Sequence, residues 1–252
     1  MMNMKKLINI IFISFLMLSC AEGQIKHYSL EVVREYPHDR AAYTQGLFIH
    51  EGQLYESTGL RGKSMFRVVD LESGEASQTL YFDDKYFIEG SVIFNDNLYI
   101  LTWETRVAFI YDAKTLDFKR TITYPRQGWG LTHDGKQLIA SDGSSYLYFL
   151  DENLKLKSKV QVKREGRIQT QLNELEYIDG KIWANVYLKD EILIIDPKSG
   201  LVEGIIDCKG LLKRELRRRD TDVLNGIAYD ASTGKIYITG KNWPLLYEIK
   251  IK

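Results

Sequence analysis

The chain has 252 residues, enough for one large domain with a substantial core. Its 34 basic and 34 acidic residues cancel, which argues against nucleic acid or a broad anionic surface as partner. Aromatic residues make up 12%, with 16 tyrosines and 4 prolines, a composition that excludes a disordered chain and leans towards β-structure.

The first segment is "MMNMKKLINIIFISFLMLSC". Lys5 and Lys6 precede an apolar run from Leu7 to Leu18, and Ser19-Cys20 follows. The run is short for a bilayer span and has the layout of a signal-peptide core. A small residue followed at once by cysteine resembles a bacterial lipobox, which predicts a lipoprotein signal peptide over 1–19 and lipidation of Cys20. An ordinary secretory signal with an incidental cysteine is the alternative. Both readings predict export. The first places a periplasmic or cell-surface lipoprotein at the membrane, held through its lipid anchor only. With Cys20 lipidated, only Cys208 remains as a free thiol, so no disulfide can form within the mature chain. Its apolar neighbours in "GIIDCKG" predict a buried, inert thiol.

Residues 20–252 read as a single domain of five repeated units. "HYSLEVVREY" (His27 to Tyr36) is strand-like and precedes the first unit. The units align on Gln45-Gly46-Leu47, Glu89-Gly90-Ser91, Trp129-Gly130-Leu131, Asn173-Glu174-Leu175 and Asn225-Gly226-Ile227. This period, some tens of residues, is that of propeller blades. About eight residues later a polar turn and an aromatic or aliphatic pair recur: "EGQLY", "NDNLY", "DGKQLI", "DGKIW", "TGKIY". Strands running into acidic turns follow, as in "FRVVDLESGE" and "ILIIDPKSG". Such a unit cannot bury its sheet faces alone, and radial stacking solves that. The expected fold is an all-β, five-bladed β-propeller, with the N-terminal strand completing the last blade. "KGLLKRELRRRDTD" (Lys209 to Asp222) breaks the pattern, and Leu211, Leu212 and Leu216 predict a short surface helix there.

In a propeller the innermost strand of each blade lines the central channel. The alignment therefore directs Gln45, Glu89, Trp129, Asn173 and Asn225 at one axis. A second set of equivalent positions is Gly59, Trp103, Gly143, Tyr187 and Lys241, and strand alternation adds Tyr43 and Phe87. An aromatic wall with a few convergent polar groups is what a small-molecule pocket requires. Structural roles compete with each assignment. Glu89 and Lys241 could form a plain buried salt bridge, Trp103 and Trp129 could be inter-blade packing, and Asn173 and Asn225 could cap strand ends. The sequence holds no Gly-x-Ser-x-Gly, HExxH or phosphate loop, and His27, His38, His50 and His133 are scattered.

The stretches "YTQGL", "KYFIEGSVIFNDNLYILTW", "GWGLTHDGKQLIASDGS", "LNELEYIDGKIWANVY", "DVLNGIAYD" and "ITGKNWP" run in order from Tyr43 to Pro244. Together they resemble the plant and bacterial glutaminyl-peptide cyclotransferases, a family described as five-bladed propellers. The resemblance implies conversion of an N-terminal glutamine of a peptide or protein to pyroglutamate with release of ammonia. It matches Glu89 to the family's essential glutamate, a general acid and base, and makes Lys241, Gln45 and Asn173 candidates to hold the substrate carbonyl. Trp103 and Trp129 match its pocket tryptophans, with Tyr43, Phe87 and Tyr187 completing the wall. Tyr187 is a departure, since a further tryptophan is expected after "WANV". The family implies no metal in the catalytic step, and a structural cation in the channel, calcium or zinc, stays open. A monomer is expected. The rival readings are a metal-dependent propeller lactonase or esterase, with Glu89, Asn173 and Asn225 around calcium, and a non-catalytic surface propeller that binds peptide or glycan.

Overall fold

The computed structural model describes residues 24–252. The leader over 1–19 and the lipidation position Cys20 lie outside the described residues. The fold is all-β: among the described residues there are twenty-two strands and one 3-10 turn.

The first strand, β1 (Lys26–Pro37), stands apart from the sheet that follows it. Four-stranded antiparallel meanders come next. The first is β2 (Thr44–His50), β3 (Gln53–Thr58), β4 (Met65–Val69) and β5 (Ala76–Tyr81). The second is β6 (Ile88–Phe94), β7 (Asn97–Thr102), β8 (Val107–Asp112) and β9 (Phe118–Thr123). The third is β10 (Leu131–His133), β11 (Leu138–Ala140), β12 (Tyr146–Leu150) and β13 (Leu156–Gln161). A two-stranded ribbon, β14 (Lys163–Arg164) and β15 (Arg167–Ile168), leads to β16 (Leu172–Ile178), β17 (Lys181–Val186), β18 (Glu191–Ile195) and β19 (Val202–Asp207). The chain ends with β20 (Leu224–Asp230), β21 (Lys235–Gly240) and β22 (Leu245–Ile251).

β1 supplies the strand that this last unit lacks. It pairs antiparallel with β22, Leu30 opposite Ile251 and Pro37 opposite Leu245. Its first residues pair parallel with β19, which fuses the last two units into one eight-stranded sheet. The first strands of the units pack in cyclic order: β2 on β6, β6 on β10, β10 on β16, β16 on β20, and β20 back on β2.

The core is divided the same way. Phe48 and Phe66 of the first unit pack on Ile93 and Ile100 of the second. Tyr99 and Leu101 meet Leu131 and Leu138 of the third. Ile139 and Phe149 meet Leu175 and Ile182. Trp183 and Ile194 meet Ile227, Ile238 and Trp243. Leu47 and Leu54 close the circle on Ala228 and Tyr237. No unit buries an apolar face without its neighbour, so burial itself holds the ring together.

The segment at Lys209–Asp222 corrects the expectation of a surface helix. It forms only the 3-10 turn Arg214–Leu216, without a side-chain cap. Adjacent Leu211 and Leu212 are both buried against the core around Trp243. Two neighbouring side chains turned inward suit a bent loop, because one face of a helix takes residues three or four apart.

Candidate active site

The repeated motif turns one side chain per unit towards the axis by a local device. In β2, β6, β16 and β20 the register slips by one residue, between Thr44 and Gly46, Ile88 and Ser91, Leu172 and Leu175, and Leu224 and Ile227. These β-bulges carry Gln45, Glu89, Asn173 and Asn225, and a bulge re-aims the residue it adds. Trp129 occupies the same place just before β10, its N–H reaching Ser141 O at 3.3 Å.

The second set is pinned to the first by the backbone. The N–H groups of Gly59, Trp103, Tyr187 and Lys241 donate to the carbonyls of Tyr43, Phe87, Gln171 and Val223 at 2.8, 3.0, 2.9 and 2.9 Å. Each acceptor stands two residues before its unit's axial residue, so one repeated register fixes both sets. Glycine at 59 and 143 has a steric reason. A Cβ at Gly59 would enter the Phe87 ring, and one at Gly143 would enter the Trp129 indole.

All nine residues proposed from sequence line one cavity of about 210 Å³: Tyr43, Gln45, Phe87, Glu89, Trp103, Trp129, Asn173, Tyr187 and Lys241. Aromatic rings form its wall. Phe87 meets Trp103 edge-on at 5.6 Å between centroids, and Trp129 meets Tyr187 at 5.8 Å. Neither Trp103 nor Trp129 belongs to the inter-unit cores, where Trp183 and Trp243 sit instead. A wider cleft of about 650 Å³ lies at the outer edge between Gln24–Tyr28 and the β18–β19 region. It lacks this convergence of rings and polar groups.

The polar floor is electrostatically unusual. Glu89 and Lys241 are both buried, at 4% and 3% exposed. Burial raises the Glu89 carboxyl well above its ordinary value, and the charge of Lys241 opposes that only in part. Burial also lowers the Lys241 ammonium, with Glu89 and Asp222 pulling the other way. Lys241 Nζ sits 4.7 Å from the Tyr43 ring centroid and 5.4 Å from that of Tyr187. Tyr43 is itself held, its hydroxyl donating to Asp222 Oδ2 at 2.7 Å. An acid biased to keep its proton thus shares a ring-lined well with an amine biased to lose one.

Asn225 is outside this cavity. Its Nδ2 donates to Thr44 O at 2.9 Å, a structural use in line with the strand-end role weighed from sequence. Similar bonds link the other units. Ser57 Oγ donates to Glu89 O, Gly90 N to Trp129 O, Ser141 Oγ to Asn173 O, and Gly226 N to Asn185 Oδ1.

The family model for glutamine cyclotransferase matches residues 7–251. The chain belongs to the glutamine cyclotransferase family. A glutaminyl-peptide cyclotransferase of Arabidopsis thaliana is 44% identical over 230 residues, covering 88% of this chain and 71% of the relative. The glutaminyl cyclase of Myxococcus xanthus superposes with a TM-score of 0.84 at 34% identity, over 91% of this chain and 99% of that one. The WD40 β-propeller domain of Doa1 superposes with a TM-score of 0.50 at 9% identity, over 81% of this chain and 62% of that one, a likeness of fold alone.

The family member carries features that sequence reasoning passed over. Glu174 and Glu176 on β16 are buried carboxyls, Glu174 accepting from Ile227 N at 2.9 Å and Glu176 from Tyr229 N at 3.0 Å. His38, read as scattered, is buried against Glu56. Gln127 contacts both pocket tryptophans. Glu174 alone had a visible signal, because it replaces the glycine of the other units. Cys208 is buried, its thiol pushed up by desolvation.

Proposed function

We infer that this chain is a glutaminyl-peptide cyclotransferase, which closes the N-terminal glutamine of a peptide or protein to pyroglutamate and releases ammonia. The observation that carries the reading is that Glu89 and Lys241, both buried, line one aromatic cavity in a chain of this family.

The substrate's α-nitrogen, as the free amine, attacks its own side-chain carboxamide carbon. A C–N bond forms, the carbonyl oxygen gains negative charge, and the attacking nitrogen acquires a surplus proton. Glu89 takes that proton and passes it to the carboxamide nitrogen, which leaves as ammonia when the tetrahedral centre collapses. Atoms and charge balance with one proton moved. A relay must both accept and release within one turnover, and a carboxyl with a raised pKa is suited to that at neutral pH. Lys241, Gln45 and Asn173 are the donors proposed to steady the oxyanion, a role supported by their sharing the cavity with Glu89. Trp103, Trp129, Tyr187, Tyr43 and Phe87 clasp the carboxamide and its aliphatic stem and exclude water, which would otherwise only deamidate it.

The chemistry is proposed to run without a catalytic metal. The donor set supports this, since one carboxyl beside an ammonium is a poor cage for a hard cation. The same charge balance weighs against a metal-dependent lactonase.

Five blades are proposed for the ring, supported by the cyclic packing of five inner strands and by the five inter-unit cores. Export through the 1–19 leader, lipid anchorage at Cys20 and a monomeric state rest on the sequence. Incorporation of labelled fatty acid that is lost in Cys20→Ser tests the anchor.

The function is tested by incubating the purified domain, with and without chelator, with a dipeptide that begins with glutamine. Ammonia and a blocked N-terminus should appear together in both cases. Ammonia with a free N-terminus, or no ammonia, contradicts the reading.

A further inference from the structure

Gln127 is not among the residues that line the cavity, yet it bonds to two that are. Its Oε1 accepts from Trp103 Nε1 at 2.9 Å and from Trp129 Nε1 at 3.3 Å. An indole N–H can only donate, so the atom facing both rings is the carboxamide oxygen, whose two lone pairs match two donors. Trp103 follows β7 of the second sheet and Trp129 opens the third, so one oxygen ties together walls from neighbouring sheets.

Gln127 is held from both sides. Three residues earlier, Tyr124 is fully buried and its N–H donates to Arg106 O at 2.8 Å. Directly after it, Gly128 N–H donates to Thr102 O at 2.9 Å. A Cβ at Gly128 would run into Leu101 and the Thr102 carbonyl, so only glycine lets the loop lie this close to β7. The "QGWG" stretch therefore fixes a carboxamide, a tight backbone contact and an indole in succession.

The outer torsion of a tryptophan side chain is broad, and packing on one edge leaves rotation open. Phe87 meets Trp103 and Tyr187 meets Trp129 edge-on, and the Gly143 backbone lies against the Trp129 indole, contacts that leave the Nε1 edges of both rings to Gln127. We propose that Gln127 is a positioning residue of the reaction, one oxygen setting the planes of both pocket indoles before substrate arrives. The flat carboxamide of the substrate then enters a slot of preset width and angle beside Glu89, and less ordering is left to be done on binding. The inference rests on the cyclotransferase reading for its kinetic consequence. Its spectroscopic consequence is independent of that reading.

The test compares Gln127→Leu, which keeps volume and removes the acceptor, with Gln127→Glu, which keeps an acceptor oxygen. Near-ultraviolet circular dichroism of the free protein, the thermal midpoint, and ammonia release from a glutamine-initiated dipeptide are measured for each. In Gln127→Leu the tryptophan bands should weaken with little change in midpoint. Its KM should rise about tenfold, the equivalent of losing two partly exposed hydrogen bonds, with kcat changed less. Gln127→Glu should recover the tryptophan bands and bring KM to within about threefold of wild type. Wild-type bands and KM in Gln127→Leu would overturn the proposal. So would a Glu variant as impaired as the Leu variant, or a fall in midpoint that accounts for the lost activity. A wild type that released no ammonia would sink the functional reading, while the dichroism would still decide the role of Gln127.

Discussion

Asn225 Nδ2 donates to Thr44 O at 2.9 Å, a bond between the last inner strand and the first across 181 residues of chain. Both residues are fully buried. The bond sits where β20 packs on β2, at the inner edge of the sheet in which β1 pairs with β22. In Asn225→Leu the Thr44 carbonyl loses this buried partner, which costs about 1–3 kcal/mol. Chemical denaturation should show the midpoint shifted down with an unchanged slope. An unaltered midpoint would mean that closure draws nothing from this contact.

Buried carboxyls give the fold a pH dependence with a definite sign. Burial raises Glu176 from 4.5 to about 8, while Tyr229 N and Thr132 Oγ1 bond to its oxygens. The unfolded chain releases this proton near the ordinary value and the folded chain holds it. The contribution to stability is therefore complete below about 4.5 and is lost as pH rises through about 8. Glu174, raised by burial and by Glu176, acts in the same direction. Glu176→Gln should flatten the decline of unfolding free energy between those limits, because the amide oxygen still accepts and the threonine hydroxyl can reverse. A decline as steep as in wild type would remove Glu176 as its source.

His38 and Glu56 contribute with signs opposite to each other. His38 Nε2 lies 3.0 Å from Glu56 Oε1, and Nδ1 lies 2.8 Å from Trp243 O. Both partners accept, so the ring bonds fully only as imidazolium. Arg67 Nη2 and Thr44 Oγ1 also donate to Glu56, and Asp39 pairs with Arg67 at 2.6 Å. Thr239 Oγ1 approaches Nδ1 at 3.5 Å. Burial pushes His38 down, but against that and the repulsion of Arg67 the charge and hydrogen bond of Glu56 and the bond to Trp243 O together raise it. Its contribution is present below 6.5 and is lost as pH rises through its folded value. Glu56 is held low by His38 and Arg67 against its own burial, so its contribution is present above 4.5 and fades only in strong acid. Glu56→Gln leaves buried His38 without a carboxylate and Arg67 with Asp39 alone, and should cost about 3–5 kcal/mol. His38→Asn should cost less and cancel the alkaline part of the loss. Equal costs for the two variants would contradict this division.

Much of the site was legible because the units repeat. Without the alignment, Gln45, Glu89 and Asn173 are ordinary polar residues in strands. With it, they occupy one bulge position in the inner strands β2, β6 and β16, and a pocket follows. Local pattern also marked β1, whose strand character and place before the first unit foretold its pairing with β22. Other features were hidden for physical reasons. Leu211, Leu212 and Leu216 mimic a helical stripe, but the core that takes the first two approaches from one side of a turn. Gln127 reads as a loop residue, since nothing local shows that two indoles from neighbouring sheets will meet its oxygen. His38 and Glu56 are 18 residues apart, and the third partner of the pair, Trp243 O, comes from the far end of the chain.

The most direct measurement is the pH dependence of ammonia release from a glutamine-initiated dipeptide by wild type and by Glu89→Gln. The account predicts that wild-type kcat/KM rises with pH through an ionisation well above the ordinary carboxyl range. In the variant, kcat falls by at least about 10²-fold at every pH with the fold intact. A Glu89→Gln protein that released ammonia at the wild-type rate, with the wild-type pH profile, would contradict it.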